Sequence, residues 1–135
     1  MLVVGPIRKV KSWAEGEIES YILSRVWMTD VFGAAIVPLV EDSAHIPLPQ
    51  KWATVSRSGR FAVFEAGHYQ NRHLYLVNLK TKKAIKLTEA GTYNSSPEIS
   101  PDEQWIYFES NRDGGKGIWR AQLDMDKIRK ELDIE

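Results

Sequence analysis

The chain has 135 residues, no cysteine, and equal numbers of basic and acidic residues, 18 of each. A chain of this length buries roughly two thirds of its unfolded surface, so one domain can fold without disulfides or a structural metal. The composition argues against thiol catalysis and cysteine-based zinc sites, and the zero net charge argues against a dedicated nucleic-acid binder or a membrane-surface protein.

The beginning of the chain does not have the pattern of a membrane-spanning or export segment. The longest apolar run, Val31 to Val40, is about half the length that a bilayer-spanning helix needs, and it contains Pro38. The first residues place an apolar stretch before the basic residues, which is not the order of a signal peptide. We therefore expect no membrane insertion and a cytoplasmic location, or a periplasmic one if a leader has been trimmed.

Residues 1–50 carry the weakest pattern and admit two interpretations. Ser20–Val26 and Gly33–Val40 are rich in branched and aromatic residues and are candidate strands. The competing interpretation is a helix over Glu15–Met28, in which apolar residues recur every four positions. We favour the strands, because Gly16 and the Tyr-Ile-Leu cluster are unfavourable to the helix.

An internal repeat follows in the second and third parts of the chain. Val55–Leu79 aligns without a gap on Ile99–Leu123, an offset of 44 residues, and apolar residues coincide at nearly every apolar position. Agreement of this length rarely arises by chance, so we expect the two segments to adopt the same fold.

Each copy of the repeat predicts short strands. In the second copy, Gln104–Ser110 lies between a Pro-Asp turn and an Asn-Arg-Asp-Gly-Gly loop, and Gly117–Leu123 follows as the other arm of a hairpin. Ser96–Ser100 precedes the turn, and Lys83–Thr88 between the copies supplies a fourth strand. The strand Gln104–Ser110 is apolar on both faces, which is typical of a sheet packed between two neighbouring sheets.

Four short strands at a period near 44 residues are typical of a β-propeller blade. We therefore predict an all-β chain of about three four-stranded antiparallel blades, with a degenerate first blade at 1–50, a second at 51–90 and a third at 91–124. The tail, 125–135, has Met125, Ile128 and Leu132 at helical spacing and predicts a short terminal helix.

The segment Leu87–Asp124, which contains the second copy, carries a series of turn and strand motifs. In chain order these are Leu87-Thr88, Pro97, Ser100-Pro101-Asp102, Phe108, Ser110, Arg112-Asp113-Gly114 and Ile118-Trp119. Together they resemble the TolB-type, WD-like β-propeller repeat. The resemblance covers roughly residues 51 to 124, and it departs at Glu103, where that family usually has glycine, so a turn of another type is one expectation there.

The resemblance implies structural roles for the motif residues Ser100, Pro101, Asp102, Arg112, Asp113 and Gly114. We expect Asp102 to accept hydrogen bonds from backbone amides of its turn. We expect Arg112, which follows a strand of the same blade, to pair with this turn acid. Such residues identify a fold rather than an activity.

Aromatic residues in loops are the best candidates for contacts with a ligand, because aromatic side chains are favoured at interaction surfaces. We expect Trp105 and Trp119 to be packed between blades. The remaining candidates for a binding loop are His68, Tyr69, Arg72 and Tyr93.

The residues predict no catalytic, cofactor or metal site. His68 and His73 lie in or beside one hairpin loop, where histidines are usually only solvated. The segment Gly114-Gly115-Lys116-Gly117 lacks both the leading glycine and the hydroxyl residue of a phosphate loop and joins two strands, so a hairpin turn explains it better.

The expected function is that of a non-enzymatic binding or scaffold module for a protein or a small ligand. Closed propellers need about four to eight blades, so a three-blade chain predicts a homodimer that completes a six-bladed ring. The alternative is a propeller-based enzyme or the regulatory propeller of a hydrolase, either lyase-like and metal-dependent or associated with a peptidase. The Gly-x-Ser-x-Gly elbow of such peptidases is absent from this sequence.

Overall fold

The computed structural model describes residues 2–12, 18–29, 36–41 and 44–135. Its elements in chain order are β1 (Leu2–Ser12), β2 (Ile18–Thr29), β3 (Ile36–Pro38), β4 (Gln50–Val55), β5 (Phe61–Ala66), β6 (His73–Asn78), β7 (Ala84–Lys86), β8 (Asn94–Ile99), β9 (Trp105–Ser110), β10 (Gly117–Gln122) and α1 (Met125–Leu132). The predicted all-β class is confirmed. No helix within the described ranges is long and apolar enough to cross a membrane.

The described strands form three antiparallel sheets with the orders β1-β2-β3, β4-β5-β6-β7 and β8-β9-β10. In the first sheet β1 pairs with β2 in continuous register, from Leu2 opposite Met28 to Ser12 opposite Ile18. The alternative helix over Glu15–Met28 is therefore wrong from Ile18 onwards, because this stretch forms its hydrogen bonds across strands. Residues 13–17 and 30–35, which include parts of the predicted helix and of the predicted strand Gly33–Val40, lie outside the described residues.

The middle sheet is packed on both faces. All six residues of β5 are buried, and their side chains alternate between two core clusters, as the period of a strand requires. Ala62 and Phe64 join a cluster with Val26, Leu39 and Val40 from the side of the first sheet. Ala66 joins the same cluster, whereas Phe61 and Val63 point towards the third sheet and α1.

The second cluster joins the middle sheet to the third. Phe61 and Val63 of β5 lie in it together with Ile106 and Phe108 of β9. The opposite face of β9 is open, and the side chain of Tyr107 is 41% exposed. The prediction that β9 is packed on both faces is therefore met on one face only, because no described sheet follows the third.

After β10 the chain turns into α1 instead of a fourth strand. Asp124 caps the helix by accepting a hydrogen bond from the Lys127 amide at 3.2 Å, and Met125, Ile128 and Leu132 are buried on one face. The Asn78 side chain donates to the Leu132 carbonyl at 2.7 Å, which ties the helix to the middle sheet. The middle sheet thus has four strands and the third sheet three.

Glu103 adopts the backbone conformation that its counterpart in the first copy adopts. Glu103 has φ 61° and Gly59 has φ 74°, and in each turn the amide of that residue donates to a serine carbonyl at 2.9 Å. The turn type is thus retained at Glu103. The Ser58 amide and hydroxyl donate to the Glu103 carboxylate at 3.1 and 3.0 Å, and these bonds offset the unfavourable left-handed conformation.

We expect Gly114→Ala to lower the free energy of unfolding by about 1–2 kcal/mol. Gly114 has φ +89°, and an added Cβ would meet no atom within 4 Å, so the cost is conformational and not steric. The neighbouring Gly115 also has open space but no left-handed φ. Gly115→Ala is therefore the matched control and should change the stability by less than about 0.5 kcal/mol. Urea denaturation measures both, and an equal loss in the two variants would contradict the assignment.

Candidate functional site

Three loops meet at the end of the sheets opposite α1 and bring two tyrosines and a lysine together. The rings of Tyr69 and Tyr93 have centroids 5.1 Å apart and are tilted by 49°. The Lys116 ammonium lies 4.6 Å from the centroid of Tyr93 and 5.9 Å from that of Tyr69. We call Tyr69, Tyr93, Lys116 and the Arg72 side chain beside them the loop-end cluster.

The loop between β5 and β6 projects Tyr69 into solvent. The loop begins at Gly67, which has φ +109° and whose added Cβ would lie 2.2 Å from the Asn71 carbonyl oxygen, so only glycine fits. The Asn71 amide donates to the His68 carbonyl at 2.9 Å and closes the turn. As a result Tyr69 is 63% exposed at the tip.

Arg72 supports the cluster from below through a buried ion pair. Its guanidinium lies 3.2 Å from the Glu65 carboxylate, and the two side chains are only 13% and 5% exposed. It also donates to the Gly67 carbonyl at 3.2 Å and lies over the ring of Tyr93, 5.4 Å from its centroid. A buried charge that loses its partner is strongly destabilising, so the ion pair keeps Arg72 in this position. From there Arg72 holds the loop of Tyr69 and the loop of Tyr93 in place. The candidate binding residue Arg72 thus lies against the half-buried Tyr93, beneath the exposed Tyr69.

Arg112 belongs to a polar network at the same end. Its side chain donates to the Ser110 hydroxyl at 3.0 Å and to the side-chain oxygen Oδ1 of Asn94 at 3.1 Å. Its guanidinium also packs over the rings of Phe108 and Trp119. The expected pairing with Asp102 is therefore wrong. The two residues flank opposite ends of β9, and a strand of six residues separates its ends by roughly 17 Å.

Asp102, Ser100 and Pro101 lie at the other end of the sheets, near α1. The Asp102 carboxylate accepts hydrogen bonds from the Ser100 hydroxyl at 2.6 Å and from the Gln104 amide at 3.0 Å. The predicted bond to a backbone amide is thus confirmed. These bonds, the one from Ser100 first, hold the pKa of Asp102 below its usual value. The structure therefore uses Asp102 to close a turn.

His73 is buried in the polar network and is hydrogen-bonded to Thr88. The Thr88 hydroxyl already accepts a bond from the Leu74 amide at 3.1 Å, so its own proton is available to His73 Nδ1 at 2.9 Å. The Asn94 amide nitrogen lies 3.3 Å from the same atom. The two protons of that amide are donated to the carbonyls of Arg72 and Ala90, each at 3.1 Å. Burial, reinforced by the charges of Lys86 and Arg112, lowers the pKa of His73.

The remaining candidates lie separately. His68 is exposed in the β5–β6 loop, whereas His73 is buried. Asp113 and Gly114 are exposed in the loop between β9 and β10. Among the described residues, no three His, Cys, Asp or Glu side chains are grouped so that they could hold a metal ion.

Sequence reasoning missed Lys116. The sequence predicts only a hairpin turn for its glycine-rich surroundings. The signal that could have revealed it is the register of the hairpin. Gly117, the first residue of β10, pairs with Ser110, the last residue of β9. That register places the β9–β10 loop at the same end of the sheets as the loop of Tyr69.

No protein-family model matches the chain. An uncharacterized protein of Agrobacterium fabrum is 28% identical over 108 residues, which cover 76% of this chain and 37% of that protein. A solved structure from Agrobacterium tumefaciens that carries the name TolB matches with a TM-score of 0.65 and 25% identity and covers 78% of this chain and 39% of that chain. TolB from Acinetobacter baumannii matches with a TM-score of 0.59 and 17% identity and covers 78% of this chain and 27% of that one.

These similarities confirm the TolB-type, propeller-like fold that the repeat motifs predicted. The chain spans less than two fifths of the length of each of the three proteins. The three sheets therefore correspond to part of a propeller.

We expect His73 to make the stability of the fold fall as the pH is lowered. Its pKa in the folded chain lies below the ordinary value of 6.5, so the unfolded chain binds more protons below pH 6.5. The contribution is thus fully present above pH 6.5 and is lost as the pH falls towards the folded pKa. Urea denaturation between about pH 7.5 and about pH 5 measures it. His73→Gln should flatten this pH dependence, and the exposed-site control His68→Gln should not. Equal slopes in all three proteins would contradict the assignment.

Proposed function

We propose that the chain is a non-enzymatic binding module and that the loop-end cluster is its contact surface for a protein partner. The observation that carries the proposal is the pair of contacting tyrosines, the exposed Tyr69 and the half-buried Tyr93. Lys116 lies near both rings, and Arg72 lies over that of Tyr93. The TolB-type fold supports a binding role for the module.

The physics of interfaces favours this surface. Tyrosine offers a large contact area with few rotatable bonds, and tyrosine and arginine are enriched among the residues that dominate binding energy. Here the buried ion pair between Arg72 and Glu65 fixes the loop before a partner arrives, so less conformational entropy is lost on binding. Lys116 adds a positive charge beside the aromatic rings.

The described residues favour binding over the enzymatic alternative. A metal-dependent lyase of the propeller type would need several histidines directed at one point. His73 is instead buried and bonded to Thr88, whereas His68 is exposed in a loop. We therefore assign His73 a structural role.

We also propose that two copies associate and complete a six-bladed ring. The support is the outward surface of the third sheet, which we call the open face and which comprises Trp105, Tyr107, Ile118 and Arg120. Ile118 is 74% and Tyr107 41% exposed, and the register places them on the same side of the sheet. Neighbouring apolar groups of this kind mark association surfaces. In the proposed ring this face packs against the first sheet of the partner copy.

The loop-end proposal is tested by crosslinking from a photoreactive residue at position 70, followed by titration of the purified partner that it captures. We expect Tyr69→Ala and Tyr93→Ala each to weaken the affinity by about tenfold or more, because buried tyrosines are typical hot spots. Arg57→Ala, an exposed change at the other end of the sheets, is the control. A partner that binds both tyrosine variants as tightly as the unaltered chain would refute the proposal.

The dimer is tested by light scattering on a sizing column at several concentrations. We expect twice the chain mass of 15.4 kDa, and we expect Ile118→Lys to give monomers because it buries an unpaired charge. Val55→Lys is the matched control, since Val55 is 44% exposed but lies in the middle sheet. A stable monomer of the unaltered chain at micromolar concentration contradicts the proposal.

A further inference from the structure

β10 is the last strand of the third sheet, whereas its equivalent in the middle sheet, β6, is followed by a further strand, β7. In the middle sheet β7 pairs with β6, with Leu76 opposite Ile85. The 44-residue repeat maps β6 onto β10, so Arg120 is the counterpart of Leu76. In the described part of the chain no strand pairs with the outer side of β10.

The hydrogen bonds show which backbone groups lie at this edge. The amides of Leu79 and Leu123 donate to equivalent partners on the inner side, the carbonyls of residues 60 and 104. Because amide direction alternates along a strand, residues 118, 120 and 122 direct their amides outwards. The equivalent amides of β6 form hydrogen bonds on this side. Asn78, the counterpart of Gln122, donates its amide to the Lys83 carbonyl at 2.8 Å.

A cleft of about 440 Å³, lined by both apolar and charged side chains, lies beside this edge, between the middle sheet, the third sheet and α1. The side chains that line it include Leu74, Ile85, Leu87, Ile106, Phe108 and Leu123. Most of them belong to the core cluster shared by the two sheets, or pack against it. The cleft is therefore a continuation of an existing interface, and a strand added to β10 would lie over it.

The side chains at the edge specify what such a strand would carry. Trp119 and Ala121 share the face of β9 that bears the buried Ile106 and Phe108, whereas Arg120 pairs with Tyr107 on the open face. Arg120 is exposed and lies over the ring of Trp105, 4.2 Å from its centroid. Among the described residues it forms no ion pair with an acidic side chain. An apolar residue opposite each of Trp119 and Ala121, and an acidic one opposite Arg120, would complement this edge.

We propose that the outer edge of β10 binds an extended peptide segment of a partner protein as an antiparallel fourth strand. The segment has the pattern apolar-acidic-apolar, with the apolar side chains directed into the cleft and the acidic one next to Arg120. Main-chain hydrogen bonds to residues 118, 120 and 122 hold the strand, and the alternate side chains select it. This site is separate from the loop-end cluster.

The test uses the isotopically labelled full chain and a capped peptide with Val-Glu-Val at its centre and threonines on both sides. We expect saturable shifts and slowed hydrogen exchange at the amides of Ile118, Arg120 and Gln122. A matched peptide with Val-Lys-Val should bind about fivefold more weakly, because like charges then face each other. Tyr69→Ala should leave the affinity for the peptide unchanged.

Two variants at one position separate the backbone from the side chain. Arg120→Pro removes the outward amide and should weaken binding by about tenfold or more, while the sheet tolerates it because this amide has no partner within the sheet. Arg120→Ala keeps the amide, so it should bind the peptide and lose the preference for glutamate. If Arg120→Pro fails to fold, the hydrogen-exchange measurement on the unaltered chain still tests the proposal.

Three results would overturn the proposal. One is the absence of a saturable shift with the Val-Glu-Val peptide, and another is equal binding by the unaltered chain and Arg120→Pro. The third is a slowing of hydrogen exchange at the three amides, without peptide, that increases with protein concentration. A second copy of the chain would then occupy the edge.

Discussion

The burial of both faces of β5 is the constraint on which the rest of this structure depends. A strand whose six residues are all buried needs an apolar layer on each side. The first sheet supplies one layer, and the third sheet with α1 supplies the other. Stacking of sheets face to face, rather than closure of one sheet on itself, follows directly from this requirement.

The same stacking positions the loops. The middle and third sheets stack with their equivalent strands side by side. The β5–β6 and β9–β10 loops therefore meet at one end of the sheets. Polar groups that become buried there must be paired, and the bonds of Asn94 with the Arg112 side chain and the Arg72 carbonyl meet this need. Tyr69 and Tyr93 therefore lie beside a layer of polar side chains that are bonded within and between neighbouring sheets.

Much of the fold could be predicted from local patterns. The strands of the repeat and the terminal helix depend on periodicity and turn residues within a few positions of each other, and both signals are strong here. The strands of the first sheet were harder to predict, because β2 contains apolar residues at a spacing that also suits a helix, and only its pairing with β1 decides between them.

The candidate site was predictable in part. Tyr69 and Tyr93 could be chosen because large aromatic residues in loops have few structural roles. The place of Arg72 under them could not, because it depends on Glu65, a residue that sequence alone assigns to a strand like any other. Lys116 and the partners of Arg112 likewise depend on which ends of different strands meet in space.

The paired turns at Gly59 and Glu103 have a consequence for the way the molecule unfolds. Because the backbone and hydroxyl of Ser58 bind the Glu103 side chain, the turn at Glu103 is more stable while the turn at Ser58 is formed. In repeat proteins, bonds of this kind across unit boundaries turn independent melting of the units into a concerted transition. Glu103, the single departure from glycine in the turn motif, thus contributes to the cooperativity between the two repeats.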